Sequence, residues 1–463
     1  MSVNVFTFIV IGAGLLSSEA ACVAFAVLFT LFGATAAVSL PALGGAAITP
    51  ALLFLPFLAL HAVFARLRTH EPSMLSRAGT LLGIVVLWGV ISALVMPRVF
   101  AGETQVYILD RLTAKSARLY PLHPLPTNLT QSVYAIGHFV CFLSLRTLLR
   151  APGRLLTFRN ALLLVAALDV AMGLLNLAES VLGLPSLLDY LRNAEGYALS
   201  ADYALGGLPR IHGTFPEASL FAYYSVPLFA FSLSLWTTRA ETRFSPYVCC
   251  ALLVMLVLST SAMAYLGLAG YFVGYAFAEL PRKRIPTPLA LTAASILVAV
   301  LGMYALELDV TRRIDHFVHA ALLDKAESGS GQERGAWNAQ AFRNFLDTYG
   351  LGVGLGSCRG SSFPLVLLSN LGVFGAVTFG LFLLNVCRAP YVERATLTDE
   401  EFYVRKAASE AVIAAMFTGA VGLGMFDLGV PFYMFAAAAS SSLAPQPQRQ
   451  ALALEPSHAF ELR

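Results

Sequence analysis

The sequence predicts an all-α fold in which about 12–13 transmembrane helices form one polytopic membrane domain. Of its 463 residues, 57% are hydrophobic and only 12% are charged. Soluble globular proteins carry about a quarter charged residues, so this composition indicates a chain that lies mostly in a bilayer. The net charge of +3 is too small to indicate a nucleic-acid-binding surface, and no nucleic-acid partner is expected.

The apolar runs define the predicted spans, since a helix needs about 17 to 25 mostly apolar residues to cross the hydrocarbon core. Such runs fall near 20–39, 47–65, 78–97, 130–149, 159–183, 218–236, 288–306, 366–387 and 407–426. A shorter run at 4–17 has no basic segment before it, so we predict that it is retained. Two short spans are predicted in 247–280, broken near Ser259 to Ser261, and the run 429–443 resembles the return leg of a hairpin.

Every second connection is short and basic, which predicts the orientation of the chain. The basic residues concerned are Arg66, Arg68, Arg77, Arg146, Arg150, Arg154, Arg159, Arg239, Arg243, Arg282, Lys283, Arg284, Arg388, Arg394, Arg405 and Lys406. These connections are expected in the cytoplasm. One transmembrane domain then covers residues 1–444, followed by a disordered cytoplasmic tail at 445–463. Three long loops, at about 98–129, 184–217 and 307–365, are expected outside.

The long loops carry several arginines, which suggests an anionic ligand at the outer surface. In the first loop Val106, Leu109 and Leu112 recur at helical spacing, so we predict an interfacial helix over 103–119. The second loop ends in Arg210-Ile-His212-Gly-Thr-Phe-Pro-Glu217, directly before a span. Glu217 could cap that helix, where the dipole favours a carboxylate. Alternatively, Glu217 accepts a proton from an incoming hydroxyl while Arg210 holds a negative leaving group.

The third loop places Arg334 at the start of a predicted helix over Trp337–Asp347. A diphosphate bound there would offset the unfavourable placement of a cation at a helix start and would accept hydrogen bonds from its free N–H groups. The alternating glycines of 350–356 predict a tight turn that lets the backbone approach the membrane, rather than a phosphate cradle. Arg359, just beyond, is predicted to reach a substrate phosphate.

Polar residues inside the predicted spans have two readings. Asp169, Asn176 and Glu179 fall on one broad face of their helix. Intramembrane acids are candidates for function, yet interhelical hydrogen bonding explains them equally well. His138 is predicted to be a packing residue. The cysteine and histidine spacing indicates no metal site and no disulfide framework.

Three motifs together resemble the O-antigen ligase and polymerase family. They are Arg-x-x-Gly-x-Phe-x-Glu from Arg210, Glu-Arg-x-x-Trp-x-x-x-x-Phe from Glu333, and Gly-x-Gly-x-Gly-Ser from Gly352. The resemblance implies a GT-C-type membrane glycosyltransferase that needs no metal or other cofactor and uses an undecaprenyl-diphosphate-linked oligosaccharide donor and acceptor. It implies that Arg210 and Arg334, with His212 and Arg359 nearby, bind substrate and that Glu217 belongs to the reacting centre.

Two departures from the family pattern refine this expectation. Ligases of the family tend to carry a His-Asn pair after the glycine turn, whereas here Asn370 has no histidine before it, and Ser261-Ala262 replaces the usual Ser-Arg. We therefore expect a metal-independent, inverting polymerase of exopolysaccharide or O-antigen repeats in a bacterial inner membrane, with its active site facing the periplasm. Chain-length regulator and export proteins are possible partners. The alternatives are a ligase acting on a lipid A core and a transporter of lipid-linked sugars.

Overall fold

The computed structural model describes residues 2–40, 46–69, 75–109, 117–194, 204–205, 208–279 and 329–441. Within these ranges the chain is mostly helical. The helices are α1 (Val5–Leu16), α2 (Glu19–Leu28), α3 (Pro50–Thr69), α4 (Arg77–Val99), α5 (Pro126–Leu148), α6 (Arg154–Leu182), α7 (Ala218–Thr237), α8 (Ser245–Leu258), α9 (Ala262–Glu279), α10 (Gly329–Asp347), α11 (Phe363–Val392), α12 (Asp399–Gly422) and α13 (Gly429–Ala439). The predicted span at 288–306 and the predicted tail at 445–463 lie outside the described residues.

The described strands form three small antiparallel sheets. The strands are β1 (Ser2–Val3), β2 (Val38–Leu40), β3 (Ala46–Ile48), β4 (Gln105–Leu109), β5 (Ala117–Pro121), β6 (Ala204–Leu205) and β7 (Leu208–Pro209). Strand β2 lies between β1 and β3, β4 pairs with β5, and β6 pairs with β7. The strands lie before α1 or in connections between helices, so the bundle itself is built of helices alone in the described part.

Five described helices are long and apolar enough to cross a membrane, namely α3, α4, α6, α7 and α11. Shorter apolar helices include α8 and α9, which are separated at the predicted break near Ser259 to Ser261. Helix α13 has 11 residues, which gives a length of about 16 Å, too short to cross a bilayer alone. The predicted number of 12–13 spans stays a prediction.

Helices α4 and α5, which follow one another along the chain, run antiparallel, so the connections before and after this pair meet at the same end of the bundle. Gly79 and Gly83 of α4 face Leu143 and Phe139 of α5 in that order. We call the end that holds the short basic connections the basic end; there Glu19 pairs with Arg68 and Arg154. We call the opposite end, where α5, α7, α9 and α11 begin, the cleft end. The described residues of the three predicted long loops lie at the cleft end, whereas residues 307–328 of the third loop lie outside the described residues.

Helix α13 forms the centre of the bundle. Its buried residues are Val430, Phe432, Tyr433, Met434, Phe435, Ala436, Ala437, Ala438 and Ala439. At the basic end Arg405 Nε donates to the Ala439 carbonyl and Arg146 Nε donates to the Ser440 carbonyl, each at 3.0 Å. The last carbonyls of a helix lack intrahelical donors and carry partial negative charge. Two buried arginines therefore cap α13 and fix its depth.

The predicted interfacial helix over 103–119 is wrong. Residues 105–109 and 117–121 instead pair as antiparallel strands, with Val106 opposite Tyr120 and Tyr107 opposite Leu119. The segment Gln105 to Leu109 is rich in β-branched, aromatic and apolar residues, which favour strands, and its apolar spacing did not distinguish the two structures. Val106 is fully buried, so the hairpin packs on the bundle with one face.

Candidate functional site

Helix α11 is broken at Gly372, whose backbone is non-helical (φ 64°, ψ −166°). The break frees the carbonyls of the preceding turn from their intrahelical partners. Other parts of the chain supply the donors: Val353 N–H to Ser369 (2.7 Å), Gly354 N–H to Asn370 (3.0 Å) and the Trp88 indole N–H to Leu371 (2.9 Å). Backbone irregularity in an apolar bundle persists only when its polar groups are satisfied in this way.

The alternating-glycine segment packs against three helices. A Cβ at Gly352 would lie 2.7 Å from the backbone of α11, one at Gly354 would lie 2.6 Å from α4, and one at Gly356 would lie 2.5 Å from α5. The prediction that this segment approaches the membrane is therefore wrong, because the close approach is to other backbone. The N–H groups of residues 352–356 all have protein acceptors, which leaves no donor set for a phosphate cradle.

Two buried asparagines hold the end of this segment in place. Asn128 of α5 donates to the Leu355 carbonyl and to Ser357 Oγ, both at 2.7 Å. Asn370 of α11 accepts from Gly356 N–H at 3.0 Å and donates to the Cys358 carbonyl at 3.1 Å. Asn370 occupies the region where the family resemblance raised the question of a His-Asn pair, and its amide here supports the loop.

A cleft opens beside this loop, at the end of the bundle where α5, α7, α9 and α11 begin. It holds about 530 Å³ of space not filled by protein atoms, part of which is open to the surroundings. It is lined by Tyr107, Ile108, Leu125, Thr127, Gln131, Gly356, Ser357, Cys358, Arg359, Asn370, Met425 and Phe426. Among these described lining residues Arg359 is the only charged one, so the cleft favours a polar or negatively charged ligand.

Arg359 is held in place by aromatic residues and by the hairpin. Its guanidinium carbon lies 5.3 Å from the ring centroid of Trp337, within cation–π range. The Tyr107 ring lies 6.4 Å from the Trp337 ring, and the Arg359 backbone N–H donates to the Tyr107 carbonyl at 3.3 Å. Burial raises the pKa of the neighbouring Cys358 thiol to about 11, so this lining cysteine stays uncharged.

The predicted start of the helix that carries Arg334 is wrong. Helix α10 begins at Gly329, so Arg334 lies in its second turn and the free N–H groups belong to the residues before it. Weak helix formers such as glycine cost only about 1 kcal/mol each, which packing of the helix elsewhere offsets.

Arg334 precedes Trp337 and Asn338 by three and four residues, so it shares their face. Asn338 Oδ1 accepts from Ser361 N–H at 2.8 Å, so this face points toward the Arg359 loop.

The second long loop gathers a different set of residues. Arg192 Nη1 lies 2.6 Å from His212 Nδ1, and Arg192 also pairs with Asp189 at 3.0 Å. Burial, followed by the positive charge of Arg192, lowers the pKa of His212 to about 4, so the imidazole is neutral at physiological pH. Arg210 interacts electrostatically with His212 and with Tyr265 near the start of α9. Arg192 was not among the predicted site residues.

Glu217 occupies the N-cap position of α7. Its backbone carbonyl accepts from Leu220 and Phe221 N–H at 3.1 Å, and its carboxylate accepts a hydrogen bond from the Ser219 hydroxyl. Glu217 therefore occupies the capping position, but its side chain makes no capping hydrogen bond to a backbone N–H group. Glu217 is half-buried and lies on the α7 side of the cleft end, outside the cleft lining.

The polar residues of α6 make interhelical and loop contacts. Ser225 of α7 donates to Asp169 at 2.6 Å. Asn176 accepts from the His212 N–H at 2.9 Å, and Glu179 accepts from the Leu187 N–H at 2.7 Å. These bonds support the reading in which such residues join neighbouring segments.

An ionisable pair below the cleft was not identified from the sequence. His138 Nδ1 of α5 lies 3.5 Å from Asp427 Oδ1, and the imidazole stacks on Tyr433 with ring centroids 4.8 Å apart. Asp427 directly follows Met425 and Phe426, which line the cleft. The signal available in the sequence was an acid between two apolar runs, which marks a candidate by default.

The predicted site residues therefore fall into two groups at the cleft end. Arg359 lines the cleft, and Arg334 lies on the helix face turned toward it, whereas Arg210, His212 and Glu217 lie beside α7 and α9. The end of α12 lies between the groups: a Cβ at Gly422 would meet Met263 of α9, and one at Gly424 would lie 3.7 Å from Arg359 Nε.

No protein-family model, curated protein or solved structure matches this chain. Function must be inferred from these residues.

Proposed function

We propose that the protein is a GT-C-type membrane glycosyltransferase that polymerises undecaprenyl-diphosphate-linked oligosaccharide repeats. The observation that carries this proposal is the arginine-lined cleft between α5, the broken α11 and the end of α12. It lies at the end of the bundle opposite the short basic connections. A concave site with one fixed cation, several amides and hydroxyls, and an apolar wall suits a sugar attached to a lipid diphosphate.

The charge distribution supports a periplasmic site. Short connections rich in arginine and lysine stay in the cytoplasm, which assigns the basic end to that side of a bacterial inner membrane. The cleft end then faces the periplasm, where lipid-linked repeats are joined. Arg334 and Arg359, with Arg210 on the α9 side, provide cations at the level where the diphosphate headgroup of such a lipid would lie.

The proposed reaction is one displacement. A hydroxyl of the acceptor sugar attacks the anomeric carbon of the donor, the new C–O bond forms, and the bond from that carbon to the diphosphate breaks with its electron pair leaving on the diphosphate. The hydroxyl proton passes to a carboxylate. Arginines fixed before the reaction stabilise the developing negative charge at little reorganisation cost. In-line attack inverts the anomeric configuration.

The decisive experiment uses purified protein in liposomes and lipid-linked single repeats extracted from a strain that lacks the protein. We expect a ladder of longer lipid-linked products of inverted linkage. Arg359→Gln should reduce the elongation rate by about 10²-fold or more, as does removal of one fixed charge-stabilising group in other enzymes. Arg343→Gln is the matched control, because Arg343 is exposed on the opposite face of α10 from Arg334.

Other outcomes would replace the proposal. Transfer of glycan to a lipid A core acceptor without elongation would identify a ligase. Movement of the intact lipid-linked unit between leaflets without bond formation would identify a transporter. Retention of the anomeric configuration would contradict single displacement.

A further inference from the structure

An ionisable pair, the buried His138 and the partly exposed Asp427, lies next to residues that line the cleft. Gln131 lines the cleft, and its Oε1 is buried without a hydrogen-bond partner among the described residues. His138 lies seven residues further along α5, which places it two turns deeper on the same face, about 10 Å away. Its Nδ1 lies 3.5 Å from Asp427 Oδ1, and its Nε2 is buried without a partner among the described residues.

Asp427 is not itself a lining residue, but it directly follows Met425 and Phe426, which line the cleft. Its side chain keeps 29% of its surface accessible although the neighbouring Phe426 and Leu428 are buried. One oxygen accepts from the Gly429 N–H at 2.7 Å, which fixes the carboxylate at the start of α13. The other titratable groups that face it are Tyr223 of α7 and Tyr433 of α13. No arginine or lysine pairs with it among the described residues.

Four other described acids make their contacts away from the cleft lining. Asp169 is bonded to Ser225 within α6 and α7, and Glu179 accepts two backbone N–H groups beyond α6. Glu410 pairs with Lys406 and Tyr271 within α12 and α9. Glu217 receives the Ser219 hydroxyl at the helix cap.

We propose that Asp427 is the proton acceptor of the cleft and that His138 is its positioning residue. The inference rests on the proposed glycosyl transfer. As the acceptor oxygen bonds to the anomeric carbon, its proton moves to the Asp427 carboxylate, and the diphosphate leaves with the electron pair of the broken bond. Asp427 then releases the proton to water that enters the cleft. Gln131 Oε1 accepts a hydrogen bond from a neighbouring sugar hydroxyl.

The test compares carboxylate variants in the liposome assay with lipid-linked single repeats. Asp427→Asn keeps an oxygen that can accept the Gly429 N–H, so folding should survive, while elongation should fall by about 10²- to 10⁴-fold, the usual contribution of a general base. Asp427→Glu should recover part of the rate. Glu103→Gln, an exposed acid at the same end, is the matched control and should keep the wild-type rate.

His138→Gln tests the positioning role through a readout that simple destabilisation would not produce. We expect kcat to fall with KM unchanged, because the histidine no longer holds the neighbouring carboxylate in position while substrate binding in the cleft is left intact. A larger loss in Glu217→Gln than in Asp427→Asn, or wild-type elongation by Asp427→Asn, would overturn the inference. Failure of the wild-type protein to join repeats would instead overturn the proposed function.

Discussion

The guanidinium of Arg359 stacks over the indole of Trp337 at 5.3 Å. This contact joins the loop before α11 to the face of α10 that also carries Arg334. The ring of Tyr107, in strand β4, lies 6.4 Å from the same indole ring. The charge that lines the cleft therefore depends on an aromatic residue from a separate helix, which leads to the first prediction.

Removing the Trp337 indole should leave the Arg359 guanidinium less firmly held in position. Trp337→Ala deletes a cation–π contact of about 0.5–2 kcal/mol, so we expect a roughly 2- to 30-fold loss in kcat/KM for elongation. Trp337→Phe should lose less, because a phenyl ring keeps part of the attraction. Wild-type kinetics in Trp337→Ala, alongside a strong defect in Arg359→Gln, would show that the arginine needs no such support.

The break in α11 should tolerate no side chain at Gly372. A Cβ there would lie 2.3 Å from the Gly350 carbonyl oxygen, and the backbone is in a region that only glycine adopts readily. That backbone conformation alone costs a non-glycine residue about 1–3 kcal/mol. Gly372→Ala should therefore lower the melting temperature in detergent. Gly380→Ala, in the same helix with no atom near its Cβ position, is the control and should be neutral or stabilising.

Stability should fall in mild acid because of His212. Its pKa is lowered from 6.5 to about 4 by burial and by Arg192, so the unfolded chain binds more protons than the folded one between these values. The free energy of unfolding should be intact above pH 6.5 and fall by about 3 kcal/mol as pH approaches 4. Thermal unfolding of His212→Gln should lose this dependence, whereas exposed His123→Gln should keep it. Equal acid sensitivity of both variants would contradict the assignment.

We expect helix α10 to lie at the membrane surface, with one apolar stripe of side chains in contact with the lipid. Phe342 and Leu346 lie on one face of α10, Tyr349 follows in the turn after the helix, and the three side chains are 48%, 55% and 86% exposed. The Gly350 carbonyl accepts from Val373 N–H at 2.9 Å, which joins this stripe to the exposed apolar side of α11. A spin label at Leu346 should be accessible to oxygen and shielded from a polar relaxing agent, as expected for an interfacial helix.

A label at Glu333 provides the control, because this residue is exposed about half a turn around α10 from the stripe. It should respond mainly to the polar agent. Equal exposure of both labels to water would show that α10 stands clear of the lipid.

Local patterns in the sequence predicted much of the bundle. The break between α8 and α9 and the limits of the first two long loops follow from apolar run length, which is a local property. The cleft depends on contacts between distant segments, such as Asn128 with Leu355 and Gly356 with Thr127. A single sequence contains no signal for such pairs, so the alternating glycines were assigned to the wrong neighbour.

The same limit explains the mixed result for the site residues. Arg359 was identified because it follows a recognisable glycine motif. Asp427 and His138 each looked like an isolated polar residue in an apolar run, and only the fold brings them together. The interfacial helix expected in the first loop failed for a different reason: Val106 and Leu109 have a helical spacing, but the segment from Gln105 to Leu109 is rich in residues that favour strands.

The pairing of β1 with β2 keeps the start of the described chain at the cleft end, while Arg146 and Arg405 hold the end of α13 at the basic end. The described chain thus begins at one end of the bundle and ends at the other. In the proposed membrane orientation, an epitope inserted before β1 and another placed after α13 would be displayed to opposite compartments. Antibody staining of intact and permeabilised cells would then determine the orientation of the protein without any substrate.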